Sequence, residues 1–175
     1  NYPENSMRMS PEGGLCFRRL LRSAPEGPRM ELGVYKGETL RLMEHDGLLY
    51  GVDSFEGMPQ ESERDIHHGY NQYPKGRFAT PMFSTQKATL VKGWVPEILS
   101  SLPDVQWAFV HVDMDQYDST YAALEWLFPR MMSGGIICCD DYVPNRHYLA
   151  GGAINAHSQH RPLTGAIAEK AWWVC

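Results

Sequence analysis

A chain of 175 residues is long enough for one well-buried core and short for two, so a single domain over residues 1–175 is expected. Its 43% hydrophobic and 21% charged residues are ordinary globular usage, and the net charge of -5 argues against a general affinity for nucleic acid, leaving small molecules as the expected partners. No run approaches the roughly 18 apolar residues of a membrane span, and no signal peptide opens the chain, which starts at Asn1 and so says nothing about what precedes it.

Ser10-Pro11-Glu12 reads as a helix start, with Ser as cap and Pro at the first helical position; Leu15, Phe17, Leu20 and Leu21 then form its apolar face. The four cysteines, Cys16, Cys138, Cys139 and Cys175, show neither CxxC nor His/Cys ligand spacing and read as reduced thiols of a cytoplasmic protein. Arg29 to Leu40 reads as a strand, a turn punctuated by Gly33 and Gly37, and a helix running to about His45. The two glycines would let the backbone approach a ligand closely, and a helix starting near Gly37 offers free amides to an anion. The spacing is not the GxGxxG dinucleotide fingerprint, and a purely structural turn is the competing reading.

Leu48 to Asp53 is a second strand, ending in an acid about twenty residues after the glycine turn, where a carboxylate can accept hydrogen bonds from both hydroxyls of a ribose. A local capping role is its alternative. Residues 54–78 turn polar and rich in Gly, Pro, Tyr and His, which favours an active-site lid. His67 and His68 on it are candidate bases, although adjacent loop histidines are more often simply solvated. Thr89 to Gly93 reads as a third strand, with a helix from Val95 or Pro96 to Ser101; Trp94 stacks on a purine or covers a core edge.

Phe109 to Asp115 is an apolar run that stops at two acids one position apart, the mark of a buried parallel strand whose carboxyl end delivers charge to a crevice. Ser119 is expected to cap a helix through Met132, with Tyr121, Leu124, Leu127 and Phe128 as its core stripe. Gly134 to Asp141 repeats the strand-then-acid pattern. Leu149 to His160 reads as a helix, and Leu163–Ala168 with Ala171–Val174 as an antiparallel hairpin at the sheet edge.

Alternating strands and helices call for a Rossmann-like α/β fold, an open and mostly parallel sheet with helices on both faces. Ligands on such sheets bind outside the carboxyl ends of the strands, where Glu31, Asp53, Asp113, Asp140 and Asp141 all fall. Unpaired buried carboxylates are costly, so this convergence points to a divalent cation. Strand pleating sends Asp140 and Asp141 to opposite faces unless the chain turns as the strand ends. Asp115 remains a ligand, an orienting acid or a helix cap.

Glu31-Leu-Gly-Val-Tyr-Lys-Gly-Glu-Thr, Val52-Asp-Ser-Phe-Glu-Gly-Met-Pro, Lys92-Gly-Trp, His111-Val-Asp-Met-Asp-Gln-Tyr-Asp-Ser-Thr and Gly134-Gly-Ile-Ile-Cys-Cys-Asp-Asp-Tyr together resemble the macrocin O-methyltransferases, enzymes of S-adenosylmethionine class I that methylate sugar hydroxyls. The resemblance spans Met30 to Tyr142. It implies a methionine site near Glu31, Gly33 and Thr39, the ribose on Asp53, and adenosine near Ser54 and Trp94; Gly37 of the glycine turn and Asp113, as the junction of cofactor, cation and acceptor, complete the expected cofactor-binding set. The similar catechol O-methyltransferases imply magnesium on Asp113, Asp140 and Asp141. Their base, a lysine three residues after the first metal-binding Asp, is replaced by Gln116, which leaves Asp113, His67 or His68, and Asp115 as candidates in falling order. The expected partner is a small acceptor, a sugar or another vicinal diol, with no nucleic acid and no membrane; a homo-oligomer is compatible with all of this. Two other classes fit parts of the pattern. Asp113-Met114-Asp115 also resembles the DxD metal motif of nucleotide-sugar transferases, and a non-catalytic nucleotide-binding domain would keep the same fold.

Overall fold

The computed structural model describes residues 9–67, 70–71 and 74–175. His68 lies outside them, and the side chain of His67 is likewise not described, so both candidate bases on the loop fall outside the described structure. Among the described residues, seven strands form one sheet in the order β5-β2-β1-β6-β7-β9-β8. These are β1 (Arg29–Leu32), β2 (Leu49–Asp53), β5 (Thr89–Lys92), β6 (Trp107–Val112), β7 (Met131–Cys139), β8 (Gly165–Ile167) and β9 (Lys170–Val174), while β3 (Ile66–His67) and β4 (Tyr70–Asn71) make a separate small hairpin. The first five strands of that order run parallel, and β9 pairs antiparallel with both β7 and β8. The strand order reverses between β1 and β6, the neighbours at the centre of the sheet. The expected Rossmann-like architecture with a carboxyl-terminal antiparallel hairpin is the observed one. The hairpin docks on the sheet through β9, which pairs with β7, and β8 forms the edge opposite β5.

Period-two alternation assigns each strand residue to a face. Val110 and Val112 of β6 join Met30, Leu32, Val52 and Ile137 in a core covered by α3 (Tyr117–Leu127) and α4 (Leu149–Ser158). On the opposite face, Phe109, Ile136 and Cys138 pack against Cys16, Phe17, Leu20 and Leu21 of α1 (Pro11–Ser23) and Leu40 of α2 (Glu38–Leu42). Phe17 is fully buried, its ring edge-on to Phe109 and to the imidazole of His111. Truncation of a residue placed like Phe17 typically costs about 3–5 kcal/mol.

Ser10 caps α1 as expected, its hydroxyl accepting from the Gly13 amide. Leu15 departs from the expected apolar face and is 65% exposed; Cys16 takes its place in the core. The helix after Gly37 ends at Leu42 and not near His45, before the Asp46-Gly47 turn. It begins without a side-chain cap and has little more than one turn, too short for the aligned dipole of an anion site.

Helix α3 starts two residues before its expected cap. Its cap comes from a distant segment: Asp65 is buried, and its Oδ1 accepts from the Tyr117 amide at 2.7 Å while its Oδ2 accepts from the Ser62 amide and hydroxyl. Ser119, the expected cap, sits inside the helix. The helix stops at Leu127 because Pro129 cannot continue it; a 3-10 turn over Phe128–Arg130 follows and β7 begins at Met131. Tyr121, expected in the core stripe, is 38% exposed. A 3-10 turn over Glu97–Ser101 stands where a helix was expected.

Candidate active site

A cleft of about 1030 Å³ opens along the carboxyl ends of the parallel strands. It is lined by Glu31, Gly33, Thr39, Asp53, Ser54, Trp94, Asp113, Asp115, Gln116, Asp140 and Asp141, so the expected cofactor-binding positions other than Gly37 and all the expected metal positions share one rim. Gly37 lies at the start of α2, where an added side chain would run into the Phe83 ring. The 54–78 segment borders the cleft through Ser54, Gly57, Met58, Pro59, Arg77 and Phe78, and is pinned to α3 by Asp65.

At the strand-order reversal, β1 and β6 stay paired to their ends, the Asp113 amide donating to the Leu32 carbonyl at 2.8 Å. Gly33 has φ +85°, and a Cβ there would collide with the carbonyl oxygen of Asp113. Glycine is therefore required for the two strand ends to sit side by side. Asp53 ties the turn from the neighbouring strand: the Val34 and Tyr35 amides donate to Oδ2 at 2.8 Å each, and the Phe55 amide donates to Oδ1 at 2.7 Å. Oδ1 keeps acceptor capacity toward the cleft. The Ser54 hydroxyl is spent locally, donating to the Gly57 carbonyl and accepting from the Glu56 amide.

The acids on the other side of the reversal have no comparable amide partners. Asp115 and Asp141 adopt left-handed backbone, φ 62° and 59°, which swings both carboxyls back toward Asp113 as the strands end. That is the chain turn needed to overcome strand pleating, and such strained residues concentrate at functional sites. One ligand atom each of Asp113, Asp115 and Asp141 can lie within 4.8 Å of the others, as can those of His111, Asp113 and Asp140. Oxygens on opposite sides of a magnesium or calcium ion are about 4–5 Å apart, so the carboxylate trio is of a size to hold either. Burial, then the neighbouring aspartates, push the carboxyls of Asp113, Asp115 and Asp141 above the ordinary range. A cluster that resists ionisation without a counter-charge is chemically matched to a divalent cation.

Asp140 shares the rim with Asp113 and Asp141, as the grouping expected, and has in addition a charged partner of its own. Its Oδ2 takes a 2.6 Å hydrogen bond from the Lys170 ammonium and its Oδ1 accepts from the Asp141 amide. The physical reason is topological: β9 runs antiparallel to β7, so its first residue arrives at the last residues of β7. Lys170 is fully buried. Burial pulls its proton affinity down, but Asp140 and Asp113 outweigh that and leave it above the ordinary lysine value.

Lys170 continues a buried polar row. Glu31 and His111 are register partners on β1 and β6, with Glu31 Oε1 at 3.0 Å from His111 Nδ1. His111 Nε2 lies 3.4 Å from the Lys170 nitrogen. An ammonium only donates, so Nε2 accepts and Nδ1 carries the hydrogen given to Glu31. Burial, then Lys170, hold the imidazole well below its ordinary pKa, which agrees with a neutral ring. Burial, then Asp113, raise the Glu31 carboxyl, whose Oε2 is buried without a partner. Gln116 is also buried, with an unpartnered Nε2.

Sequence reasoning missed His111 as a polar link, Asp65 as a cap and Lys170 altogether. His111 sits among apolar residues, and its only advance signal was a titratable side chain inside a strand. A lysine beginning an apparent edge strand carries no signal of burial. The cysteines are free, with Cys16, Cys138 and Cys139 buried and Cys175 exposed. No helix among the described residues is long and apolar enough to cross a membrane.

Known proteins share this fold. The chain resembles in fold the O-methyltransferase NovP, with a TM-score of 0.74 and 21% identity over 91% of this chain and 78% of that one. It also resembles the calicheamicin methyltransferase CalS11, with a TM-score of 0.70 and 25% identity over 91% of this chain and 77% of that one. In sequence it is 28% identical to a Streptomyces olivaceus 8-demethyl-8-(2,3-dimethoxy-alpha-L-rhamnosyl)-tetracenomycin-C 4'-O-methyltransferase, covering 73% of this chain and 57% of that protein. The chain thus spans little more than half the length of the curated relatives it matches. Residues 30–142, more than half of the sequence and the whole stretch from β1 to the end of the acidic rim, match the model of the methyltransferase domain, and the chain belongs to that family.

Proposed function

We propose that this chain is a metal-dependent O-methyltransferase domain of the macrocin type, moving the methyl group of S-adenosylmethionine to a hydroxyl of a sugar or another vicinal diol. The observation that carries the reading is the Asp113, Asp115 and Asp141 cluster at the open end of the cleft, beside the glycine turn and Asp53. Asp53 is the ribose acceptor through its free Oδ1 capacity, and Glu31 Oε2 faces the methionine ammonium group. Gly33 brings that group against Asp113. Thr39, Ser54 and Trp94 complete the walls around the cofactor.

When bound, the sulfonium supplies an electrophilic methyl and a magnesium ion supplies Lewis acidity that lowers the proton affinity of a chelated acceptor hydroxyl. The residues of the chain do the rest. Asp113, Asp115 and Asp141 hold the ion and the acceptor in one orientation, worth several kcal/mol of about 7–11 available from positioning alone. We assign the base to Asp113 of this cluster, whose burial and crowding raise its proton affinity above that of an ordinary carboxylate. Gln116 cannot accept that proton; its unpartnered amide is a donor for an acceptor oxygen. The relative named for methylating a rhamnosyl 4'-hydroxyl supports a sugar acceptor.

The test is thermal unfolding with S-adenosylmethionine, with and without magnesium and chelator, because a ligand bound only by the folded state raises the midpoint. A rise with S-adenosylmethionine is expected, with a further rise when magnesium and a rhamnosyl glycoside are present together. No shift with S-adenosylmethionine overturns the reading. A shift with it and none with magnesium restricts the domain to metal-independent chemistry.

A further inference from the structure

Two groups of cation-ligating side chains meet at Asp113, and they are not equivalent. The outer group, Asp113, Asp115 and Asp141, lies wholly on the cleft wall; the inner group, His111, Asp113 and Asp140, shares Asp113 and Asp140 with that wall and meets the first residue of β9 through His111 and Asp140. The Lys170 nitrogen is within hydrogen-bond distance of two of the three inner members, 2.6 Å from Asp140 Oδ2 and 3.4 Å from His111 Nε2. His111 is meanwhile set up as a metal-binding histidine would be. Its Nδ1 hydrogen goes to a carboxylate, Glu31, which leaves the Nε2 lone pair directed at the cation, the same support that orients histidine ligands in metal centres. The cation it meets is an ammonium belonging to the chain.

We infer that Lys170 is a resident cation that fills the inner group, holds Asp140 to the sheet and restricts the domain to one divalent ion, bound at the outer group. This rests on the metal-dependent reading above. An ammonium cannot exchange, needs no rehydration and donates at hydrogen-bond distance, so it neutralises one charge without pulling Asp113 inward. A divalent ion in its place would compete with the outer ion for the Asp113 carboxylate, which belongs to both groups. Lys170 is in this sense a positioning residue, acting on the acceptor site through Asp113 and Asp140.

The experiment counts ions on the full chain by manganese titration, reading free Mn2+ by electron paramagnetic resonance. The wild type is expected to bind one Mn2+ per chain, Lys170→Met two, and Lys170→Arg one. The wild-type number tests the metal reading; the difference between Lys170→Met and wild type tests the lysine. A rise from zero to one would defeat the metal reading and keep the role of Lys170, whereas equal numbers in the two proteins overturn it. Should Lys170→Met not fold, the double variant Lys170→Met/Asp140→Asn removes both buried charges together and keeps Asp113, Asp115 and Asp141. It is expected to bind one Mn2+ with wild-type affinity within about threefold, and loss of that ion overturns the assignment by showing Asp140 to be an ion ligand.

Discussion

Asp53 and Asp113 occupy equivalent places, each at the carboxyl end of a parallel strand flanking β1 or its neighbour, yet their surroundings are opposite. Three backbone amides converge on Asp53. Asp113 instead lies beside Asp115, Asp140 and Asp141, and its carboxyl is driven above the ordinary range by burial and then by the charges of Asp140 and Asp141. The same residue type is thus satisfied by the fold in one place and left requiring an external or resident cation in the other. A carboxylate saturated by amides shapes a binding turn; one crowded by its own kind is built to hold charge.

Substitutions should separate the two. Asp113→Asn is expected to have the largest effect, losing metal and turnover together with kcat/KM down by at least about 100-fold. Manganese binding and a methyl-transfer assay check this, and full metal-dependent activity in the variant would remove Asp113 from the centre of the site. Gly33→Ala tests the junction between the halves: with φ +85° and the Asp113 carbonyl in the way, it is expected to cost about 3 kcal/mol in a urea titration. Asp53→Ala should cost about 2 kcal/mol of stability, since three amides lose a charged acceptor, and should weaken S-adenosylmethionine while leaving Mn2+ affinity unchanged. An Mn2+ affinity that falls with it would erase the contrast.

The smallest expected effect is on pH. Asp113, Asp115 and Asp141 hold protons in the fold at pH values where the unfolded chain has released them, so the folded state binds more protons and their contribution to stability falls as pH rises through that window. A divalent ion competes with those protons. Its stabilising increment should therefore grow as pH rises above about 6.5, each kcal/mol appearing as about 2–4 °C in the midpoint for a chain of this length. The window starts there because His111 acts in the opposite sense below it: its lowered proton affinity lets the unfolded chain take up a proton first, so its contribution is lost as pH falls below about 6.5. A magnesium increment independent of pH would contradict protonation of the cluster.

The parts of the site legible in advance were those written in local pattern. Apolar runs stopping at acids located Asp53, Asp113, Asp140 and Asp141, and the glycine turn located Gly33, because strand burial and glycine conformation are properties of a few consecutive residues. Two of the errors have one physical origin, a partner distant in sequence. Ser119 was the nearest cap to α3, but Asp65, 52 residues away, supplies the bond. Leu15 fits an apolar face by composition, yet the rotation of α1 on the sheet selects Cys16 and Phe17.

By itself, then, the sequence determined an α/β sheet with a ring of acids at one end and a glycine turn among them. Only the tertiary structure decided how those acids are divided. The hairpin docks through β9 against β7, and an antiparallel neighbour brings its first residue to the end where a parallel strand finishes. Lys170 therefore lies under the rim as the partner of Asp140, and the left-handed turns at Asp115 and Asp141 gather the remaining carboxyls on the cleft side. Non-local strand pairing sets both outcomes, and no local pattern of residues encodes it.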